Sequence, residues 1–404
     1  MPDGDKQAVT IEFDHHSASY AADPYPTYAK YRSQCPVAWS EHHDGYWVLF
    51  DYASVYAAAR DDDTFRSGPS SSIPPLPTPR PMIPMETDAP ETQKWRRMLY
   101  SEFAPANVAK LEPYIYEVGH ALIDEFVERG ECDYIKDFAT PLPAQVILRM
   151  LGFDPSKWAE YAGWVHDIVH GMETDPETAF MAAVNLYGEI NEALEHRREH
   201  GLTNDIISTL MTSTFDGEPI DDDSIADYLM LLIFGGLDTT TASLGNAMVR
   251  MHQQPHLRAQ LLERPELIPN AVEEFLRYDS PLQTVGRNIS RDIEIGGQCL
   301  RAGDRALLVW ASANRDEAQF PHADEIDFER TENRHLSFIV GLHRCLGSNL
   351  GRSMFRIMLE LVLERTPDFE LTDDPDRYRF ADAGNVYALT ALPVRFTPGP
   401  RRNQ

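Results

Sequence analysis

The amino-acid sequence predicts a mainly α-helical fold with a minor β region, and three observations carry that expectation. Between Ala89 and about Gln254, apolar residues recur at helical spacing in one segment after another, each closing on Gly, Pro or charge. The stretch IDDDSIADYLMLLIFGGLDTTTASLGNAMVRMHQQP would by itself form a helix roughly 45 to 50 Å long. Strand-like patterning is confined to about 37–50 and 284–311. The 404 residues, 43% of them hydrophobic, supply a substantial core and are read as one domain over 1–404, without an internal repeat.

In chain order, VAWSEHHDGYWVLF, Val37 to Phe50, reads as two short strands around an Asp-Gly turn. The Pro- and Ser-rich stretch Ser67 to Pro84 cannot be regular helix or sheet. Because it carries Ile73, Leu76, Met82 and Ile83, a loop packed against a cavity competes with a solvated linker. The segments APETQKWRRMLYSEF, NVAKLEPYIYEVGHALIDEFVERG and NLYGEINEALEHRREHG are helical, and IEIGGQCLRAGDRALLVWASANRD reads as strand, turn, strand.

With 64 acidic against 36 basic residues, the net charge of −28 argues against nucleic acid or anionic membranes as partners. The four cysteines, Cys35, Cys132, Cys299 and Cys345, show no C-x-x-C spacing, so a reducing compartment is expected rather than a disulfide framework. The longest nearly uninterrupted apolar run, YLMLLIFGGL, is about half of what a bilayer requires. A cytoplasmic protein is the expectation.

The long helix is apolar all round at its middle, yet it holds Gly235, Gly236, Asp238, Thr239 and Thr240 there. Each helical glycine costs about 1 kcal/mol relative to alanine, and a buried unpaired carboxylate costs more. Two readings compete. Either the glycines permit tight packing and Asp238 finds an arginine, or they make room for a flat ligand while acid and alcohol manage protons. The consecutive threonines are expected to loosen the local hydrogen-bond ladder. In AVEEFLRYDSP, Glu274 and Arg277 share one helical face. Arg96, Arg287 and Arg334 with His335 are cations that, as a set, suit a planar dianion.

In HLSFIVGLHRCLG, Cys345 stands before an apolar helical pattern, where backbone amides and the helix dipole favour a thiolate. Three readings are open for it: a nucleophile paired with His343, a structural cysteine, or an iron ligand.

Phe338, Gly341, His343, Cys345 and Gly347 resemble the haem-binding signature F-x-x-G-x-H-x-C-x-G of the cytochrome P-450 monooxygenases. GGLDTT, Gly235 to Thr240, is similar to that family's oxygen-activating motif, and Glu274 to Arg277 to its E-x-x-R motif, in the family's order and over nearly the whole chain. The resemblance implies the cytochrome P-450 fold, with haem b between a long distal helix and a cysteine-bearing proximal helix. It implies Cys345 as the iron ligand, Phe338 and Gly347 beside it, and Arg96, Arg287 and His335 on the haem propionates. Glu274 and Arg277, with Arg315 nearby, become an internal ion-pair network, Asp238 a proton relay and Thr239 a hydrogen-bond donor to oxygen. Two departures are expected to matter. Ile339, where a small residue is usual, should tighten the loop at the sulfur, and Thr92 replaces a histidine one turn before Arg96.

The same resemblance implies a soluble bacterial monooxygenase, expected to be a monomer, that takes electrons from NAD(P)H through ferredoxin reductase and ferredoxin. One atom of O2 would enter a C–H bond of a small-to-medium hydrophobic substrate, terpenoid-like first, aromatic or steroid second. A peroxide-driven enzyme is the rival, opposed by the Asp238 and Thr239 pair. The substrate pocket is expected to draw on Ile73, Leu76, Met82, Ile83, Leu231, Phe234, Gly235, Gln283, Val285, Asn385 and Val386. Arg80 is read as a solvated loop residue rather than a carboxylate anchor. Lys94, Arg97, Arg344, Arg352 and Arg356 are expected to form a positive ferredoxin-docking patch.

Overall fold

The computed structural model describes residues 8–75, 80–171, 175–380 and 385–402. Helices dominate it. Those that position the site are α1 (Tyr25–Gln34), α2 (Glu91–Leu99), α3 (Glu112–Asp124), α4 (Pro141–Leu151), α5 (Trp158–His170), α6 (Pro176–His200), α7 (Asp222–Gln253), α8 (Ile268–Tyr278) and α9 (Ser348–Arg365).

Helix α7 begins where Asp221 accepts a hydrogen bond from the Ser224 N–H, with Asp222 and Asp223 in its first turn and Arg250 and His252 in its last. That charge order complements the helix dipole, and Pro255 follows the end. Its middle is buried against α4, α5, α6 and α9, as an all-round apolar helix requires. The helix is unbroken. Thr239 Oγ1 donates back to the Gly235 carbonyl at 3.0 Å and Thr241 Oγ1 to the Leu237 carbonyl at 3.1 Å. The hydroxyls are thus satisfied along the helix, and the loosening expected of the threonines does not occur.

The adjacent glycines serve different ends. A Cβ at Gly236 would lie 2.6 Å from Ile147 Cγ1, so this glycine lets α7 and α4 approach closely. At Gly235 a Cβ would meet nothing within 4 Å. Gly236→Ala is therefore expected to destabilise the protein by about 1–3 kcal/mol, read by thermal denaturation, with partial recovery in Gly236→Ala/Ile147→Val.

The minor β region gathers β1 (Val37–Ser40), β2 (Tyr46–Leu49), β3 (Phe65–Arg66), β4 (Thr284–Ile289) and β7 (Arg305–Val309) into one sheet ordered β1-β2-β7-β4-β3, while β5 (Ile293–Ile295) and β6 (Gln298–Leu300) form a separate hairpin. β2 and β7 pair in parallel, Val48 opposite Leu307, and β4 runs antiparallel to β7, which sets Arg287 opposite Ala306. The sheet thereby fixes the height at which Arg287 leaves its strand.

The described parts of the Pro-rich stretch, 67–75 and 80–84, pack against the body of the protein. The buried Glu86 carboxylate accepts from the Ser71 N–H at 2.9 Å and the Met82 N–H at 3.0 Å, closing the loop on itself. Arg80 is partly exposed, but its guanidinium is taken up by two carboxylates rather than left free. It pairs with Asp223 at 2.6 Å and Asp227 at 3.1 Å, and so ties the loop to α7.

Glu274 and Arg277 are fully buried and face each other in two hydrogen bonds of 2.8 Å. The network's third member is Arg330, whose Nε lies 3.2 Å from both Glu274 oxygens. Arg315, expected there, instead donates to the Tyr278 carbonyl at 2.8 Å and to Asp279 at 3.1 Å. Asp279 is one turn beyond Glu274 at the end of α8, which draws Arg315 to the other side of the helix end.

Candidate active site

A cavity of about 320 Å³ lies between α7 and the segment leading into α9. The α7 wall supplies Leu231, Phe234, Gly235, Asp238 and Thr239; the opposite wall supplies Phe338, Cys345 and Gly347. Met82 enters from the Pro-rich loop, Arg96 from α2, Val285 and Arg287 from β4, and Asn385 and Val386 from the C-terminal segment. Leu76 lies outside the described residues.

Four expected residues are elsewhere. Ile73 is buried in a cluster with Tyr46, Val309 and Tyr387, and Ile83 packs against the main core; neither lines the cavity. Gln283 is fully buried, accepting from Tyr28 Oη at 2.9 Å and donating to the Ser280 carbonyl, so its amide is spent on the scaffold. His335 faces α8. Its Nε2 lies 3.0 Å from Glu273 Oε2, and Arg352 bonds the same carboxylate at 2.7 and 2.9 Å. Although burial opposes it, His335 and Arg352 hold Glu273 down to about 2. The histidine on the cavity is His343, bonded through Nε2 to Ser67 Oγ at 2.9 Å. The signal that could have found it was already present, since His343 is the histidine of the cysteine motif itself.

The loop before α9 shows why its residues have these types. Gly341 has φ of +78°, and a Cβ there would lie 2.2 Å from the Ala59 carbonyl oxygen, so only glycine fits. Gly341→Ala is expected to cost roughly 2–5 kcal/mol and to lower the fraction of protein that binds haem, read by denaturation and by pigment content. Ile339 also lies in the left-handed region, at φ of +56°, which is unfavourable for a β-branched residue. Its side chain packs against the cluster of Val285, Leu336 and Leu308, and that burial offsets the strain. The Cys345 N–H donates to the Phe338 carbonyl at 2.8 Å, and Gly347 caps α9 immediately after. The cysteine therefore sits just before the helix rather than in it.

Cys345 is open to the cavity but withdrawn from bulk water, so desolvation pushes its thiol up, against the pull of the Gly347 N–H and of Arg96, Arg352 and Arg344. Arg287 is 4% exposed, and its only hydrogen bond among the described residues is from Nη1 to the Gly286 carbonyl at 2.8 Å. Burial pushes this guanidinium down to about 10. Burial, with Arg287 and Arg96 nearby, pushes the His343 imidazole down to about 3, so it is neutral. A buried guanidinium that Asp62 and Asp88 influence only from beyond ion-pair distance among the described residues, beside Arg96 and a neutral imidazole, is a site prepared for anionic groups. With a cysteine sulfur facing the same space, this donor set fits a flat, dianionic iron porphyrin. Thr92, by contrast, is buried against Thr87 Oγ1 at 2.9 Å and makes no part of the wall.

On the α7 wall, Asp238 is 2% exposed and turns toward α5. Its partners are two histidines, not an arginine: His170 Nε2 lies 2.9 Å from Oδ2 and His166 Nε2 lies 3.4 Å from Oδ1, an oxygen left without a well-formed hydrogen bond. Burial alone would raise the carboxyl; the two imidazoles hold it well below the usual carboxylate range and Asp238 raises His166 in return. Sequence spacing gave no hint of these partners, which lie a helix away.

The family model for cytochrome P-450 matches residues 145–380. The chain belongs to the cytochrome P-450 family. It is 33% identical to cytochrome P-450 130 of Mycobacterium tuberculosis over 96% of this chain and 98% of that protein. It is 30% identical to the vitamin D(3) 25-hydroxylase of Pseudonocardia autotrophica over 97% and 98%. Among solved structures, CYP109E1 of Bacillus megaterium in complex with testosterone superposes with a TM-score of 0.85 at 25% identity, covering 94% of this chain and 99% of that one. The chain is thus a P-450-type oxidoreductase whose family uses haem iron and O2. Among the described residues, no helix is long and apolar enough to cross a membrane.

Proposed function

We propose that this P-450 binds haem b through the Cys345 thiolate, with Arg96, Arg287 and His343 receiving the haem carboxylates, and that it monooxygenates a neutral hydrophobe of terpenoid or steroid size. Bound haem supplies dioxygen activation and transfer of one oxygen atom to carbon. The observation that carries the reading is that Cys345, the buried Arg287 and the Gly235 to Thr239 wall all open into one cavity.

The chain's own residues divide the remaining work. Gly235 leaves space opposite the cysteine. The Thr239 hydroxyl, which donates to the Gly235 carbonyl at 3.0 Å, sits on the cavity wall and can turn its proton toward oxygen. Asp238 holds a negative charge one residue away and favours the protonated form of His166, the more exposed of its partners, which would pass protons inward from the solvent side. Met82, Met85, Leu231, Phe234 and Val285 exclude water and offer apolar contact, while Asn385 supplies one polar position. The relatives named for steroid C26 oxidation and vitamin D hydroxylation support a polycyclic substrate of this kind.

Electron supply by ferredoxin is supported by a narrower surface than five cations. Lys94 is paired with Asp216, Arg352 with Glu273, and Arg356 with Glu112 and Glu360. Arg97 and Arg344 are exposed and have no carboxylate within ion-pair distance among the described residues, so they are the cations left to meet an acidic carrier.

The test is Thr239→Ala. Substrate-induced spectral shifts should keep their midpoint while the electrons drawn from NAD(P)H are diverted to hydrogen peroxide. Unchanged coupling of NAD(P)H use to product would remove Thr239 from the mechanism.

A further inference from the structure

Asp238 meets two imidazoles whose surroundings differ. His166 and His170 are one turn apart on α5 and look from one face of it onto the carboxylate, His170 Nε2 at 2.9 Å from Oδ2 and His166 Nε2 at 3.4 Å from Oδ1. The His170 side chain is 4% exposed and that of His166 27%.

Phe380, in the C-terminal segment, sharpens the difference. Its ring lies flat on that of His170, with centroids 3.6 Å apart and planes within 5°, but stands 5.6 Å from His166 at an angle of 64°. His170 is thus held between an aromatic face and Oδ2, and turning would forfeit both contacts. Asp238 Oδ1 has no well-formed hydrogen bond, so its long contact to His166 is the one able to open and close. Phe380 is itself braced, packing in a small cluster with Ala242, Val386 and Val169, of which the last two line the cavity.

Among the described residues, the groups facing His166 are Asp238 from α7, Asp167 and His170 from its own helix, and the uncharged ring of Phe380. Burial opposes protonation of His166, yet the hydrogen bond and charge of Asp238, followed by the charge of Asp167, raise the imidazole above its ordinary value. His166 therefore keeps its proton further into the neutral range than a free imidazole and loses it as pH rises.

We propose that Phe380 is a positioning residue of the proton relay: by fixing His170 on Oδ2 it leaves Oδ1 to His166, which alone carries protons between solvent and Asp238. The inference rests on the monooxygenase reading above and adds to it a division of labour between two histidines. The His166 Nε2–H bond breaks as its proton passes to Oδ1, and the neutral imidazole then turns outward and takes up a proton from water.

The experiment uses the holoprotein with isotope-labelled histidine, in its diamagnetic reduced carbonyl state, followed by NMR across the neutral pH range. His166→Gln and His170→Gln assign the two rings. The His170 ring signals should be displaced by the Phe380 ring current. Phe380→Ala should abolish that displacement and move the His166 midpoint, and Phe380→Tyr should restore both; Phe380→Leu, which keeps bulk without a flat face, serves if the alanine variant unfolds. This arm needs no substrate, so it decides the arrangement even if the substrate reading fails. In turnover, with testosterone as the probe for the steroid-sized substrate proposed above, kcat should fall along an alkaline limb that follows His166. His166→Gln can still donate to Oδ1 but cannot titrate, so it should lose the limb and about 100-fold in kcat. His170→Gln should lower kcat and keep the limb. Phe380→Ala should lower kcat roughly 10- to 100-fold while the substrate-induced spectral midpoint stays put. A His170 signal indifferent to Phe380→Ala, or an alkaline limb lost in His170→Gln and kept in His166→Gln, overturns the proposal.

Discussion

Replacing Cys345 by alanine abolishes the red-displaced absorption band of the reduced carbonyl complex, and turnover falls below detection. The expectation follows from the cavity's donor inventory. Cys345 is the one thiol lining the cavity among the described residues; Met354 on α9 offers only a thioether, and the charged and imidazole groups at that end are Arg96, Arg287 and the neutral His343. The cations recognise anionic groups but cannot ligate iron, and His343 Nε2 is engaged by Ser67. Haem should still associate through Arg96 and Arg287, so the variant separates cofactor recognition from iron ligation. A Cys345→Ala protein that kept the band would place the iron ligand elsewhere.

The second large effect belongs to the buried network. Glu274→Gln leaves Arg277 and Arg330 facing an uncharged amide in a region without solvent, and breaking such a pair costs about 3–5 kcal/mol. Glu274 also accepts from the Asp327 N–H at 2.9 Å and Asn333 Nδ2 at 3.1 Å. The segment it holds leads directly to His335 and the cysteine loop. The variant should therefore unfold at lower temperature and also contain less haem. Arg277→Lys should resemble it, because one ammonium cannot replace the bonds from Arg277 to the carbonyls of Asn314, Ala323 and Glu325 at 3.0, 2.7 and 2.8 Å. A melting temperature unchanged in both would refute the role.

What could be read from sequence was local. The long helix α7 showed in its caps and its apolar middle, and the β1–β2 hairpin in its Asp-Gly turn. The cysteine loop was legible because its glycines answer to φ and close backbone approach, constraints that act within a few residues. Long-range choices left no such mark. Nothing near Asp238 in sequence announces His166 and His170, and nothing in E-x-x-R tells Arg330 from Arg315 as the third member. His335 and His343 illustrate the same limit within one short segment. His335 stands just before the motif and His343 within it, and the packing of the first against Glu273 on α8 leaves the second to reach the cavity. Glu86 was missed for another reason: a carboxylate that serves backbone amides within its own loop has no periodicity to betray it.

Gly235 and Gly236 stand side by side on α7, but a methyl group added to one enters vacant room and to the other strikes a neighbouring helix. On the function proposed above, substrate choice would be trimmed one carbon at a time at position 235, where an added Cβ meets no protein atom within 4 Å. Position 236 offers no such freedom, and divergence of this enzyme toward new molecules would be written on one glycine and spared on the other.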